Sequence, residues 1–467
     1  MLWSFINVGR VKNVSKQLSV LLEYVFFRKI HDIYIMKKKS LTLSILINVI
    51  LLSKISKLQF TKNNECFCAG HDDSVEVCPC TLDSIDEYNN RRVFPLIQNL
   101  LQKDSFKFYK VNMEKTCPFW ADDRECGSKE CGIENCDDEV PEVLKTPLTL
   151  HIGSSCGENS NSFDPLDRSL TDVDKAYIES FEESTFSFCA MDDESEDGMH
   201  YVNLYKNPER YTGYKGNSAQ KVWMTIYQEN CFKPDPKLDK NFLLNPSNKG
   251  LCLEKRVFYR LISGLHSAIT ISIASHNYKP GPFGQGTWFR NDEMFKGRFG
   301  TKWSWEGPER LKNVYFVYLL EMKALSKLVP YLNNELFYTG NKKEDEETKV
   351  ILEKLMSEIE NSPNTFDEQG MFTGPFAPSL REEFRIHFHN ISRIMDCVAC
   401  DKCRLWGKLQ THGMGTALKI LFMDLTTITN KIPYWLTRND IVALFQSFGR
   451  YASSIREVEE FRKSIFV

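Results

Sequence analysis

The chain has 467 residues, and its 59 lysine and arginine residues against 62 acidic residues give a net charge of −3. A charge this close to balance, with no basic stripe along the chain, argues against a nucleic-acid-binding protein. The chain exceeds the length at which one hydrophobic core usually stops growing. It therefore forms either two lobes or one large helical domain with a cysteine-rich appendage.

A secretion signal is predicted near the N-terminus. Met36-Lys-Lys-Lys39 precedes a twelve-residue apolar run at 41–52, which is too short to span a bilayer. We interpret residues 36–56 as a signal peptide, residues 1–35 as an upstream extension outside the translated protein, and residues 57–467 as the mature chain. The alternative is a signal anchor used from Met1. All 15 cysteines follow the signal, which favours structural disulfides for most of them.

Two C-x-C pairs form the first group of cysteines. Cys66 and Cys68 precede Cys78 and Cys80, with an acidic turn between them. Nested disulfides, Cys66–Cys80 and Cys68–Cys78, would staple a hairpin here. A four-cysteine zinc site has the right number of ligands, but a secreted chain disfavours it.

An acidic, glycine-containing segment at about 117–160 lacks periodicity and predicts an exposed, mobile loop. It contains Cys117, Cys126, Cys131, Cys136 and Cys156. A disulfide between Cys126 and Cys131 would close a small loop and stay open to exchange with thiols of another protein. The plainer alternative is one more structural staple.

A polar linker is predicted at 140–199, and it holds Cys189. Farther along, Cys231 and Cys252 bracket a proline-containing loop and are predicted to pair across it.

Helical periodicity predicts a mainly α fold, because strand patterns are scarce. The predicted helices cover 93–101, 255–275, 311–328, 346–360, 380–395, 404–422 and 437–448. Thr437 and Asp440 have the spacing of a capping box at the start of the last one. No G-x-G-x-x-G follows a strand, so a Rossmann dinucleotide site is unsupported.

The most informative stretch is Cys397-Val-Ala-Cys400-Asp-Lys-Cys403, which directly precedes a long apolar-periodic run. A C-x-x-C pair at a helix start is typical of a redox dithiol, since the helix dipole stabilises a thiolate. An iron–sulfur cluster would want a fourth cysteine at 407, which is Gly407. A zinc site would need a further ligand and a reducing compartment.

Three stretches resemble the endoplasmic reticulum oxidoreductins, which are flavin-dependent thiol oxidases. They are Cys397 to Thr411, Asn207-Pro-Glu-Arg-Tyr-Thr-Gly-Tyr-Lys-Gly216, and Arg260-Leu-Ile-Ser-Gly-Leu-His266. The resemblance runs from about Cys66 to the C-terminus and is weakest at 139–198, 234–249 and 277–297. His412 replaces a common glutamine and Ala399 a common glycine, and neither change removes a reactive atom.

The resemblance implies one large, mainly helical domain that holds FAD in the lumen of the endoplasmic reticulum, with no metal. Cys400 and Cys403 would be the inner pair against the flavin, and Cys126 and Cys131 the shuttle pair. Cys117 and Cys397 would form a long-range structural disulfide. By the same residue matching, the FAD contacts would be Arg210, Thr212, Trp223, Ser263, His266, Arg298 and Arg310.

The implied activity oxidises protein disulfide isomerase and passes the electrons to molecular oxygen, which yields hydrogen peroxide. Peripheral association with the luminal face of the membrane is compatible with the family. A secreted, disulfide-stapled binding protein and a metal-binding module are the alternatives from other classes.

Two modifications are also predicted. A regulatory pairing of Cys126 with Cys156 and of Cys131 with Cys136 would tie up the shuttle cysteines and restrain the activity. Asn390-Ile-Ser is a glycosylation sequon of a luminal chain, whereas Asn13-Val-Ser precedes the signal and should be absent.

Overall fold

The computed structural model describes residues 82–120, 131–145, 198–209, 217–229, 249–281, 286–300, 307–332, 339–362, 372, 377–422 and 436–465. All of them belong to the compact unit Phe67–Val467. Among these residues helices dominate, which confirms the predicted fold class. The predicted signal peptide and the predicted pairs Cys66–Cys80 and Cys68–Cys78 lie outside the described residues. The predicted pair Cys231–Cys252 also lies outside them, because Cys231 is not described and only the backbone of Cys252 is.

The helices run the length of the described chain. They are α1 (Leu82–Tyr88), α2 (Phe94–Leu100), α3 (Asp104–Lys107), α4 (Glu142–Lys145), α5 (Asn217–Gln228), α6 (Lys249–Ser275), α7 (Asp292–Phe299), α8 (Gly307–Leu328), α9 (Lys342–Glu360), α10 (Ala377–Ile394), α11 (Asp401–Leu421) and α12 (Arg438–Ile465). A π-helical segment, Asn89–Val93, joins α1 to α2. Single 3-10 turns lie at Asp137–Glu139, Val329–Tyr331 and Met395–Cys397.

Two small antiparallel sheets accompany the helices. Strand β1 (Phe108–Asn112) pairs with β2 (Met199–Asn203), with Lys110 opposite Tyr201. Strand β3 (Asn277–Pro280) pairs with β4 (Gly286–Phe289), with Tyr278 opposite Trp288. Each strand has only four or five residues, which is too short for a periodic pattern in the sequence.

Glycines allow the central helices to approach closely. A side chain at Gly264 on α6 would lie 2.5 Å from the carbonyl oxygen of Asn313 on α8. A side chain at Gly413 on α11 would collide with the backbone of Ala443 on α12. These contacts bring α6, α8, α11 and α12 together around the main hydrophobic core.

Two contacts show that α8 and α11 run in the same direction. Ser447 on α12 donates to Glu321 on α8 at 2.6 Å, and it also lies against Gly413 on α11. Farther toward both C-termini, Lys327 Nζ lies 3.4 Å from the carbonyl oxygen of Leu421. The N-termini of α8 and α11 therefore lie at the same end of the helix bundle.

The predicted capping box at the start of α12 is present. The Thr437 N–H donates to Asp440 Oδ2 at 2.8 Å, and the Asp440 N–H donates to Thr437 Oγ1 at 3.1 Å. The helix itself continues to Ile465 rather than ending at 448. Buried Tyr451, Ile455 and Phe461 extend its apolar face into the core.

One stretch among the described residues, Val257–Ser275 within α6, is long and apolar enough to cross a membrane. Within its most hydrophobic window, 72% of the residues are buried inside the protein, as in a core helix.

Candidate active site

The C-x-x-C dithiol lies at the start of α11. Cys400 is the N-cap residue and is fully buried, and Cys403 lies in the first turn and is half-buried. The Arg404 N–H donates to the Cys400 carbonyl at 2.8 Å, which closes this turn. The positive end of the helix dipole therefore acts on both sulfurs and favours the thiolate.

Arg404 adds positive charge beside the dithiol. Its side chain is buried and donates to Asp401 Oδ1 at 2.8 Å. Its Nε and its other terminal nitrogen have no partner within the described part of the chain. The N–H groups of this buried guanidinium that lack a described partner can donate to a thiolate nearby, which favours the ionised thiol.

Cys397, the first cysteine of the motif, forms the disulfide with Cys117 that the resemblance implied. The two residues are separated by 280 positions, and their Cα atoms lie 4.4 Å apart. This bond ties the segment after β1 to the 3-10 turn that leads into the dithiol. Cys397 is thus occupied, and Cys400 and Cys403 form the C-x-x-C pair.

Two further contacts hold that turn against α11. Lys408 on α11 forms a buried ion pair with Asp396 at 2.5 Å. A side chain at Gly407 would lie 2.7 Å from Met395 Sδ, so the absent Cβ leaves room for the turn. The backbone is therefore held both before Cys400, at the 3-10 turn, and after it, in α11.

A second group of residues, which we call the arginine–aromatic cluster, consists of Trp223, Tyr227, His266 and Arg298. The rings of Trp223 and His266 stack at 3.8 Å between centroids and 14° between planes. His266 Nδ1 lies 3.0 Å from the Tyr227 hydroxyl and 3.1 Å from an Arg298 terminal nitrogen. Because the guanidinium can only donate, Nδ1 is an acceptor here and the imidazole is neutral.

The cluster is positively charged. Burial, followed by the charges of Arg298 and Arg310, holds the pKa of His266 well below its usual value. Burial also lowers the pKa of Arg298. No carboxylate among the described residues pairs with Arg298, and its buried Nε lacks a partner there. An anionic group with an aromatic ring would satisfy Arg298 and stack on Trp223.

Ser263 joins this cluster to α8. Its hydroxyl accepts from Asn313 Nδ2 at 2.9 Å, and Asn313 Oδ1 accepts from Arg260 Nε at 3.1 Å. The sequence analysis missed Tyr227 and Asn313. Each lies one helical turn after a predicted contact, Trp223 or Arg310, and that spacing could have identified them.

The family model for Endoplasmic Reticulum Oxidoreductin 1 (ERO1) matches residues 92–458. The chain belongs to the ERO1 family. It is 58% identical to "Endoplasmic reticulum oxidoreductin-1" of Caenorhabditis elegans over 453 residues, which covers 90% of this chain and 95% of that protein. It is 43% identical to human "ERO1-like protein alpha", with 86% and 92% covered.

Solved structures of Ero1p agree with the fold. One of them, described as a source of disulfide bonds for oxidative protein folding in the cell, matches with a TM-score of 0.57 and 28% identity, covering 82% of this chain and 98% of that one. A mutant of S. cerevisiae Ero1p matches with a TM-score of 0.56 and 29% identity, covering 82% and 98%. This ERO1-family chain is accordingly an oxidoreductase of a flavoprotein family.

The remaining predicted FAD contacts and shuttle cysteines are only partly described. Arg210, Thr212, Cys126 and Cys156 lie outside the described residues. Cys131 is buried and disulfide-bonded, and its bonding partner also lies outside them.

Cys136 is a free, buried thiol in this structure. Its Sγ lies 3.2 Å from the Tyr201 carbonyl oxygen, to which its N–H also donates at 2.8 Å. Burial, with Glu139 and Asp137 nearby, raises the pKa of Cys136 to about 11. In this conformation Cys136 is a poor nucleophile, so the predicted Cys131–Cys136 pairing requires it to leave Tyr201.

Proposed function

We propose that this chain is an FAD-dependent thiol oxidase of the endoplasmic reticulum lumen that supports oxidative protein folding by oxidising protein disulfide isomerase. The observation that carries this proposal is the shared position of two features. The dithiol lies at the N-terminus of α11, and Arg310 and Asn313 lie near the N-terminus of the parallel helix α8. Thiol chemistry and a site for an anionic aromatic cofactor therefore meet at one end of the bundle.

The first exchange takes place at the shuttle pair. One thiolate of reduced disulfide isomerase attacks the Cys126–Cys131 disulfide and forms a mixed disulfide, and the second thiolate of the isomerase then displaces it. The isomerase leaves with a disulfide. Cys126 and Cys131 are left as two thiols, which hold two electrons and two protons.

The second exchange moves the same electrons inward. The reduced shuttle pair attacks the Cys400–Cys403 disulfide, becomes oxidised again, and leaves two thiols at the start of α11. The helix N-terminus and Arg404 stabilise the thiolate that departs or attacks in each step. A bound FAD would supply the two-electron redox chemistry that carries these electrons, with two protons, to oxygen and yields hydrogen peroxide.

The arginine–aromatic cluster would bind and orient this cofactor. Trp223 supplies a flat surface for stacking, and Arg298 and Arg310 neutralise phosphate charge. Neutral His266 keeps its Nε2–H as a donor, because Nδ1 already accepts from Arg298. Arg210 and Thr212 are proposed contacts on sequence grounds alone.

Visible absorbance and oxygen uptake test the proposal together. The purified full chain should show flavin absorption, and it should consume oxygen when reduced disulfide isomerase is added. A colourless protein would contradict the proposal. Colourless protein with intact disulfides would indicate a stapled binding protein instead, and bound metal would indicate a metal-binding module.

A further inference from the structure

Gln410 on α11 is a fully buried polar residue of this helix. Neither its amide nitrogen nor its amide oxygen has a hydrogen-bond partner among the residues that the structure describes. A buried amide without partners destabilises a folded protein, whereas an apolar side chain of similar size does not. Both atoms therefore need a partner that is not one of these residues.

The position of Gln410 around the axis of α11 shows which part of the core its side chain faces. Gln410 lies seven residues after Cys403, close to two helical turns, so the two side chains share a face about 10 Å apart. Met414 continues the same stripe one turn later. Cys403 and Met414 both pack against the main core, which also includes Leu265 on α6 and Val317 on α8. Gln410 therefore faces the interior that α11 shares with the helices of the arginine–aromatic cluster.

Its depth along the bundle is also defined. Since Gly413 and Glu321 both meet Ser447, Gln410 lies near the level of Tyr318 on the parallel helix α8. That is about one turn deeper than Asn313, which contacts Ser263. The amide therefore lies on the core-facing side of α11, about two helical turns from the dithiol.

We propose that Gln410 is a further cofactor-contacting residue, whose amide hydrogen-bonds the pyrimidine edge of the flavin ring. This inference rests on the proposed function. That edge presents carbonyl acceptors beside an N–H donor, and a primary amide supplies the complementary donor and acceptor. The match explains why a polar group that can both donate and accept occupies an otherwise apolar stripe beside the dithiol.

Gln410→Leu tests the proposal, and Gln446→Leu is the matched control. Gln446 on α12 is a glutamine with nearly the same burial, but its Nε2 donates to the Phe106 carbonyl at 2.8 Å. Both variants would be purified as holoprotein and heated. Flavin release would be followed by the rise in flavin fluorescence, and unfolding by the loss of helical circular dichroism.

In Gln410→Leu, flavin release should move to lower temperature than helix loss, FAD binding should weaken about tenfold, and the visible absorption bands should shift. Helix loss should move down by no more than the lost binding free energy, about 1.4 kcal/mol for a tenfold weaker affinity. In Gln446→Leu, release and melting should fall together, with unchanged bands, because the Phe106 carbonyl is left without its donor.

Two results would overturn the inference. If Gln410→Leu kept wild-type bands and affinity while its melting temperature fell as in the control, or did not change at all, Gln410 would be a structural residue and the proposed function would stand. If wild-type protein bound no flavin at all, both the proposed function and this inference would fail.

Discussion

His412 and Asp440 link α11 to the start of α12 through a buried hydrogen bond of 2.6 Å between Nε2 and Oδ1. The other ring nitrogen of His412 lies 2.9 Å from the Tyr109 hydroxyl on β1. Burial alone would raise the pKa of Asp440, but Lys419 and His412, with the Thr437 N–H, hold that pKa well below its usual range. The ionised carboxylate thus caps α12 and connects three elements of the fold.

This arrangement predicts how position 412 tolerates substitution. His412→Gln should cost less than about 1 kcal/mol of unfolding free energy, because an amide can still accept from Tyr109 and donate to Asp440. His412→Leu should cost roughly 3 kcal/mol, since it removes a partner from two buried polar groups. Urea unfolding checks both values. Position 412 faces about 180° away from Cys403 on the helix, so neither variant should change thiol oxidation per folded molecule. A loss of this activity in both variants would contradict this account.

The two-dithiol relay predicts different losses at its two ends. Cys400→Ala or Cys403→Ala should leave flavin bound while abolishing its reduction by thiols, because the exchange route is cut. Cys126→Ala should preserve the oxidation of small dithiols, which reach the inner pair directly, and lose that of protein substrates. Oxygen uptake with dithiothreitol and with reduced disulfide isomerase separates the two cases. Equal loss with both substrates in Cys126→Ala would argue against a relay.

The buried position of His266 predicts a pH dependence of stability. Its pKa is lowered in the folded chain and is about 6.5 when unfolded, so only the unfolded state takes up this proton as the pH falls below that value. The free energy of unfolding is therefore unaffected by His266 above about pH 6.5, and it decreases as the pH falls below that value. Between pH 7.5 and 5.5 wild type should lose about 1.4 kcal/mol more than His266→Gln. Parallel unfolding curves would show that His266 takes up its proton in the folded state.

The regulatory pairing predicts a faster start when one cysteine is removed. Cys156→Ala should raise initial oxygen uptake and abolish any lag, because Cys126 can no longer be held by Cys156. Cys189→Ala is the control and should keep the wild-type lag. Peptide mapping of resting wild type should find the 126–156 disulfide, together with the 131–136 disulfide. A lag that persists in Cys156→Ala would exclude regulation through the Cys126–Cys156 pairing.

The mature protein is predicted to begin after Ser53 and to carry a glycan on Asn390. The Asn390 side chain is half-buried on α10 and donates to Glu229 Oε2 at 3.2 Å. A linked glycan leaves one N–H on that nitrogen, so the hydrogen bond can persist. Intact mass should show the glycan in wild type and its loss in Ser392→Ala, which breaks the sequon while keeping Asn390. A mass that includes residues 1–35 would contradict the predicted start.

The sequence by itself determined the local features of this protein. A cysteine pair before an apolar-periodic run placed the dithiol at a helix start, although α11 begins at Asp401 rather than at 404, and the spacing of Thr437 and Asp440 placed the start of α12. These succeed because capping and helical periodicity depend on residues within one or two turns of each other. Helix ends were less accurate, since α12 continues past Gly449 where tertiary packing on α2 outweighs the low helix propensity of glycine.

Only the tertiary structure decided which distant residues meet. It stacked Trp223 on His266, placed Arg298 against the same ring, and left the buried amide of Gln410 without a partner in the described part of the chain. Such contacts depend on how α6, α8 and α11 pack, and periodicity in the sequence states which face of a helix is buried but not what that face meets. The family resemblance supplied the Cys117–Cys397 disulfide and the predicted cofactor contacts, whereas the surroundings of Tyr227, Asn313 and Gln410 required the packed helices.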